Sequence, residues 1–180
     1  MKPNDFNPEK IIEQGRKLRN EQIVDVDEES IQFVLMVIGD YIFGADATQI
    51  KEIVPPAKIT FVPGLPDYFL GLIHLRGDLE AVVDLGKILG LSSKPDSELS
   101  RILMLRKDDL SVGVCVDYVS DIADIPVSKI SKESEFGHAS ARPHLQGQFE
   151  FKSSVVSIVD LMSILRFIQP KTTGSSDASS

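Results

Sequence analysis

The sequence predicts a mainly β protein made of two pseudo-symmetric halves, each a small barrel of short strands. The first observation is a repeat. Gly71-Leu-Ile-His-Leu-Arg-Gly-Asp-Leu-Glu-Ala-Val-Val-Asp-Leu-Gly-Lys-Ile-Leu89 has a degenerate copy 76 residues later without a gap. It pairs Gly71 with Gly147, Leu75 with Phe151, Arg76 with Lys152, Leu79 with Val155, Val82-Val83 with Ile158-Val159 and Asp84-Leu85 with Asp160-Leu161. Each copy reads as a strand, a tight polar turn, a second strand and an acidic residue opening a short amphipathic helix. The second observation extends the repeat upstream with one residue of slippage. Phe33–Ile38 resembles Arg101–Arg106, Gly44–Ile53 resembles Gly113–Ile122, and the second strand of each pair ends in an acidic residue followed by isoleucine. The third is that the apolar runs are short and separated by turn residues, the pattern of paired small barrels.

The elements follow in order. Asn7-Pro8-Glu9 is a helix start, with Asn as N-cap and Pro at the first helical position, and Ile11, Ile12 and Leu18 fall near one face of a helix over 8–21. Gly15 weakens it and 25–30 is an acidic linker, so residues 1–29 read as an extension, either a weakly packed arm or a partner-binding segment. Strands are expected near 31–38, 41–46, 50–54, 71–76 and 79–83, because Pro55, Pro56, Pro63 and Pro66 exclude helix or central strand between the third and fourth. Asp84 caps a helix at 85–90, and the polar breaker 92–98 separates the halves, about 30–91 and 101–168. Strands resume at 101–107, 110–117, 119–125, 146–152 and 154–159, and a last helix, 161–168, follows Asp160. The tail 169–180 has nothing to bury and is expected to be disordered.

Composition limits the function. No run approaches the ~20 apolar residues of a membrane span, the N-terminus lacks a basic-then-apolar signal, and lone Cys115 cannot form an internal disulfide, which together read as cytoplasmic. A net charge of −8 argues against nucleic acid, whose phosphates call for clustered Lys and Arg. Proteins are the expected partners.

Catalytic chemistry is unsupported, because the sequence contains no nucleophile elbow, phosphate loop or dinucleotide fingerprint. Asp84 and Asp160 form a carboxylate pair in the repeat, but each precedes a Leu-led helical turn and reads as an N-cap. His74, His138, His144 and Cys115 lack zinc-ligand spacing, and His138 and His144 fall in the polar loop 131–145, so neither metal nor cofactor is expected. Gly77 can take φ > 0 in a tight hairpin, leaving Arg76 displayed at its tip.

These residues also carry a resemblance. The order Phe43-Gly44, Ile50-Lys-Glu-Ile53, Val62-Pro-Gly-Leu-Pro66, Gly71-Leu-Ile-His-Leu-Arg-Gly77, Val82-Val-Asp-Leu85 and Val116-Asp-Tyr-Val119 is similar to the CheW family of chemotaxis coupling proteins, over about 30–168. His74 stands where that family usually has Asn, and Ala81 where it usually has Pro. The resemblance implies two SH3-like five-stranded barrels that share strands. It also implies a non-catalytic adaptor that bridges the cytoplasmic tip of a chemoreceptor to the regulatory domain of a CheA-type histidine kinase, recruited to membrane receptor arrays. A divergent scaffold of a pilus or other chemosensory pathway, or an enzyme with an unrecognised site, are the alternatives.

For the site, the resemblance selects the Leu75-Arg76-Gly77 turn, with His74 beside it, as a protein contact. Arg suits this role because its planar fork of donors makes it common at interface hot spots. Ile50 and Glu52 are expected on one strand face, an apolar anchor beside a carboxylate. Val62, Leu65, Leu79 and Val82 are assigned to the first barrel's core or its kinase-facing end, and Val116, Asp117 and Val119 to the corresponding part of the second half.

Overall fold

The computed structural model describes residues 28–169, so the expected helix at 8–21 and the tail from 170 lie outside the described residues. Strands β1 (Ser30–Ile38), β2 (Tyr41–Asp46), β3 (Glu52–Val54), β4 (Phe69–Leu75) and β5 (Asp78–Asp84) precede helix α1 (Leu85–Leu89). Strands β6 (Arg101–Lys107), β7 (Leu110–Val116), β8 (Tyr118–Pro126), β9 (Leu145–Phe151) and β10 (Ser154–Val159) precede α2 (Leu161–Ile168).

The strands form two five-stranded sheets, ordered β8-β1-β2-β10-β9 and β3-β6-β7-β5-β4. Substituting each strand of the first half for its counterpart in the second converts one order into the other, so the repeat is a pseudo-twofold of the topology. The sequence halves 30–91 and 101–168 are not the two sheets, however. Each sheet takes three strands from one half and two from the other, joined by the parallel pairs β2–β10 and β5–β7. Neither barrel closes by a ladder, because β8 and β9 are the edges of one sheet and β3 and β4 of the other. At each seam an isolated antiparallel bridge ties the loop after one edge strand to the other edge, Thr60 to Leu72 and Ser131 to Gln148.

Three apolar clusters explain the sequence pattern. Phe33, Leu35, Phe149 and Ile158 fill one curled sheet, and Ile73, Val82, Ile102 and Met104 the other. The largest cluster draws Met36, Ile38, Phe43, Val83, Leu85, Leu89, Leu103, Leu105, Leu161 and Leu165 from both sheets and both helices. Strands β1 and β6 are therefore buried on both faces and read as continuous apolar runs. The alternation also corrects the expected slippage. Tyr41 closes on Ile38 and Leu110 on Lys107, so these strands, like Gly44 and Gly113, are related by 69 residues without a slip. That register sends Met36 and Leu105 to the shared cluster and Leu35 and Met104 to the separate ones. A one-residue slip would have reversed the faces.

Asp84 and Asp160 are the helix caps, accepting from the N–H groups of Lys87 and Met162. Gly71 and Gly147, both at positive φ, lie against the carbonyl oxygens of Thr60 and Ser131, where a Cβ would collide. Gly147→Ala is therefore expected to lower unfolding free energy by about 2–3 kcal/mol, read as a shifted denaturant midpoint with an unchanged slope.

Candidate functional site: two ion-pair clasps related by pseudo-symmetry

The β4–β5 hairpin turns through Arg76 and Gly77, both at positive φ (53° and 96°), the signature of a type I′ turn. A left-handed Arg is unusual, and this backbone turns its side chain back across the seam. Its guanidinium donates to Glu52 Oε2 on β3 at 2.6 Å, with side-chain exposures of 73% and 21%. Arg76 is thus a clasp over the open edge of its sheet as well as a displayed charge.

The same arrangement recurs at the other seam. Lys152 and Ser153, at φ 47° and 64°, turn the β9–β10 hairpin, and Lys152 Nζ donates to Asp121 Oδ2 on β8 at 2.9 Å. The repeat relates Lys152 to Arg76 and Asp121 to Glu52. The Lys152 hydrogen bond, aided by the Ile122 N–H, holds the Asp121 carboxyl below the usual carboxylate range. Large apolar side chains stand exposed near both clasps: Leu79 (60%) near the first, Ile122 (54%) and Val155 (61%) near the second. The second clasp escaped the sequence reading, although its signal was present. Arg76 aligned with Lys152, and the acidic-then-isoleucine pair recurred at Asp121-Ile122, but only the fold shows that these two repeats meet.

The structure separates the other expected contact residues. His74, Gly77, Leu65 and Leu79 are exposed, while Val62 and Leu75 are half-buried, Leu75 against the interior of its own sheet. Ile50 and Glu52 do not share a strand as expected. Asp46 accepts from Thr48 N–H and winds 47–49 into a single 3-10 turn, so β3 starts only at Glu52. Ile50 and its repeat mate Val119 instead pack half-buried against the shared core. Val82 (0% exposed) and Val116 (1%) are core residues. Asp117 is also buried, with its carboxylate accepting from Gly39 N–H at 2.8 Å and Lys94 N–H at 2.6 Å. Val116 and Asp117 therefore belong to the scaffold that pins the 92–94 linker, because a buried side chain with its acceptors filled has nothing to offer a partner.

Two titratable groups complete the description. Burial pushes the Cys115 thiol up to about 12, so it stays protonated and poorly nucleophilic. His144, expected in a polar loop, is buried, with Nδ1 2.6 Å from Ser163 Oγ and the ring edge-on to Phe167. Burial holds its imidazole below the usual range, Asp160 opposes this and Arg166 adds to it. The folded state thus favours the neutral ring. The stability this contributes is complete above the unfolded value of about 6.5 and is lost as pH falls through it toward the depressed folded value. Chemical denaturation between pH 7.5 and 5 should show a decline that is shallower in His144→Gln.

Among the described residues no group of three or more His, Cys, Asp and Glu side chains can hold a metal ion, and no helix is long and apolar enough to cross a membrane. The class these features define is a pair of open five-stranded sheets with an ion-pair clasp at each seam, a mainly β fold. Comparison with known proteins identifies the family. The chain matches the CheW-like domain over residues 32–169 and belongs to that family. It is 26% identical to the chemotaxis protein CheW of Bacillus subtilis over 134 residues, 74% of this chain and 86% of that one. With CheW of Helicobacter pylori it shares 31% over 109 residues, 61% of this chain and 66% of the relative. With the protein PilI of Pseudomonas aeruginosa it shares 27% over 112 residues, 62% and 63% of the two chains. In structure it is similar to the scaffolding protein TtCheW of Thermoanaerobacter tengcongensis, with a TM-score of 0.66, 24% identity and coverage of 76% of this chain and 88% of that one.

Proposed function

We propose that this protein is a non-catalytic adaptor of chemotaxis signalling that holds the regulatory domain of a CheA-type histidine kinase and the cytoplasmic tip of a chemoreceptor at the same time. The observation that carries the reading is the duplicated clasp, set within a chain whose family relatives are chemotaxis proteins. One docking surface comprises Arg76, Glu52, His74, Gly77, Leu79 and Leu65, with Val62, Leu75 and Ile50 supporting it. Such a surface has the make-up of a hot spot, an Arg and apolar anchors ringed by polar groups. The other clasp supplies a second surface with similar chemistry, and Val119 takes the place of Ile50 there. The protein acts in the cytoplasm and reaches the membrane through the receptor.

Separate titrations with a kinase regulatory domain and with a soluble receptor hairpin test this. Both should bind, and the adaptor should neither accept phosphate from the kinase nor hydrolyse ATP. Failure to bind either partner overturns the reading. The likeness to PilI favours a pilus chemosensory pathway as the second assignment, which stronger binding to the pilus-system kinase than to a flagellar one would establish.

A further inference from the structure

The two seams are bridged alike, and they differ in the residue that leaves the bridge. Thr60 exchanges two backbone hydrogen bonds with Leu72, at 2.8 and 2.9 Å, and Ser131 exchanges two with Gln148, both at 2.8 Å. Leu72 and Gln148 are 76 residues apart in the repeat, so Thr60 and Ser131 are counterparts, and so are the residues that follow them, Phe61 and Lys132. Phe61 is 73% exposed, more than any other large apolar side chain among the described residues. The phenylalanine of the second loop, Phe136, is covered by its own half, where its ring meets Tyr41 and Phe43 edge-on with centroids 4.9 and 5.2 Å away. Phe61 has no such cover, yet its backbone is fixed. Thr60 is locked to β4 before it, Pro63 and Pro66 follow, Gly64 turns the chain at φ 83°, and the Pro66 carbonyl accepts from Phe69 N–H at 2.9 Å. A ring displayed on a fixed loop loses little freedom when it docks, and aromatic side chains are among the commonest interface anchors.

We propose that Phe61 is the anchor by which the first seam selects a helical partner, its ring entering an apolar hollow between the two helices of a hairpin. The inference rests on the adaptor reading above and gives the receptor side of that reading to the first seam. Packed helices leave holes between four side chains that take a single projecting knob, and a ring on a fixed loop has that shape. Lys58, exposed and in no ion pair among the described residues, stands three positions before the ring and suits a carboxylate at the rim of the hollow. At the second seam the same position is Lys132, whose ammonium would lose its hydration in an apolar hollow without a partner to replace it. One residue thus tells apart two clasps of similar chemistry.

The test titrates the full chain against a soluble receptor hairpin and, separately, against a kinase regulatory domain. Phe61→Lys, which gives the first seam the residue of the second, should raise the dissociation constant for the hairpin about thirtyfold and that for the kinase domain less than about twofold. Phe61→Leu, still apolar, should stay within about fivefold of wild type for the hairpin, and Lys58→Glu should weaken the hairpin alone. Each variant should melt as the wild type does, because the side chains replaced are exposed. A hairpin affinity within about twofold of wild type in Phe61→Lys overturns the proposal, as does a loss for the kinase domain as large as that for the hairpin. Self-association of the free chain that Phe61→Lys abolishes also overturns it, since the ring would then seat on a second copy. A wild-type chain that binds neither partner overturns the adaptor reading together with this inference, whereas wild-type binding that ignores Phe61 overturns the inference alone.

Discussion

Arg76→Glu is expected to weaken partner binding by about 2 kcal/mol or more, roughly a thirtyfold rise in dissociation constant, while melting with wild-type cooperativity. The reversal sets an introduced carboxylate face to face with that of Glu52 at the seam and removes the donor fork from the docking surface. Stability changes little, because an ion pair with one partner 73% exposed contributes at most a few tenths of a kcal/mol to folding. The clasp allows a sharper experiment than one substitution. If Arg76 acts only by holding Glu52 and closing the seam, the exchange of Arg76→Glu with Glu52→Arg restores binding. If the guanidinium itself touches the partner, the exchange restores the clasp but not the affinity. Isothermal titration of the two single variants and the exchange, analysed as a double-mutant cycle, separates these outcomes. An unchanged isotherm in Arg76→Glu would reduce the residue to a solvated turn charge.

The second large effect follows from bridging. An adaptor with separate faces joins two partners only while one copy holds both, so a large excess fills receptor and kinase separately and leaves them unlinked. Receptor-controlled kinase autophosphorylation should therefore rise and then fall as the adaptor is titrated against fixed receptor and kinase. A one-sided binder would saturate. Soluble receptor fragments at low density are the right substrate, because packing in an array masks the decline. A plateau at large excess, with both binary interactions measured, would exclude the two-faced arrangement. Lys152→Glu extends the test, since loss of one binary interaction with the other intact would assign the second clasp to a particular partner.

Local chemistry accounts for the features that were legible in residue order. The 76-residue repeat needs only residue order, and the caps at Asp84 and Asp160, the Pro-bounded loops and the tight hairpin at Gly77 depend on contacts within a few residues, so each could be read from spacing and residue type. The family resemblance rested on the same local motifs. Where the reading failed, either a competition between local and long-range pairing or a distant contact decided. The 3-10 turn that takes Ile50 off β3 depends on a short Asp46–Thr48 interaction in competition with pairing to β6. Burial of His144 depends on α2 packing over it, though its place in the repeat, opposite Tyr68, was a clue: each carbonyl accepts the N–H of the capping Asp 16 residues later. The resemblance left Val116 and Asp117 between the second half's core and its kinase-facing end, and burial of both, with the 92–94 linker held on the Asp117 carboxylate, decides for the core.

Residue order is thus enough to establish a duplicated β protein, its strands and turns, and the hairpin that displays an Arg. Side-chain period, proline geometry and capping act over short separations and need no knowledge of the rest of the chain. Three features emerge only when the chain is folded: the sheets exchange strands between the halves, each seam stays open, and Arg76 meets Glu52 as Lys152 meets Asp121. These pairings join residues 24 and 31 positions apart, at edges that exist only after two sheets have curled around separate cores. No local rule specifies which edges will face each other.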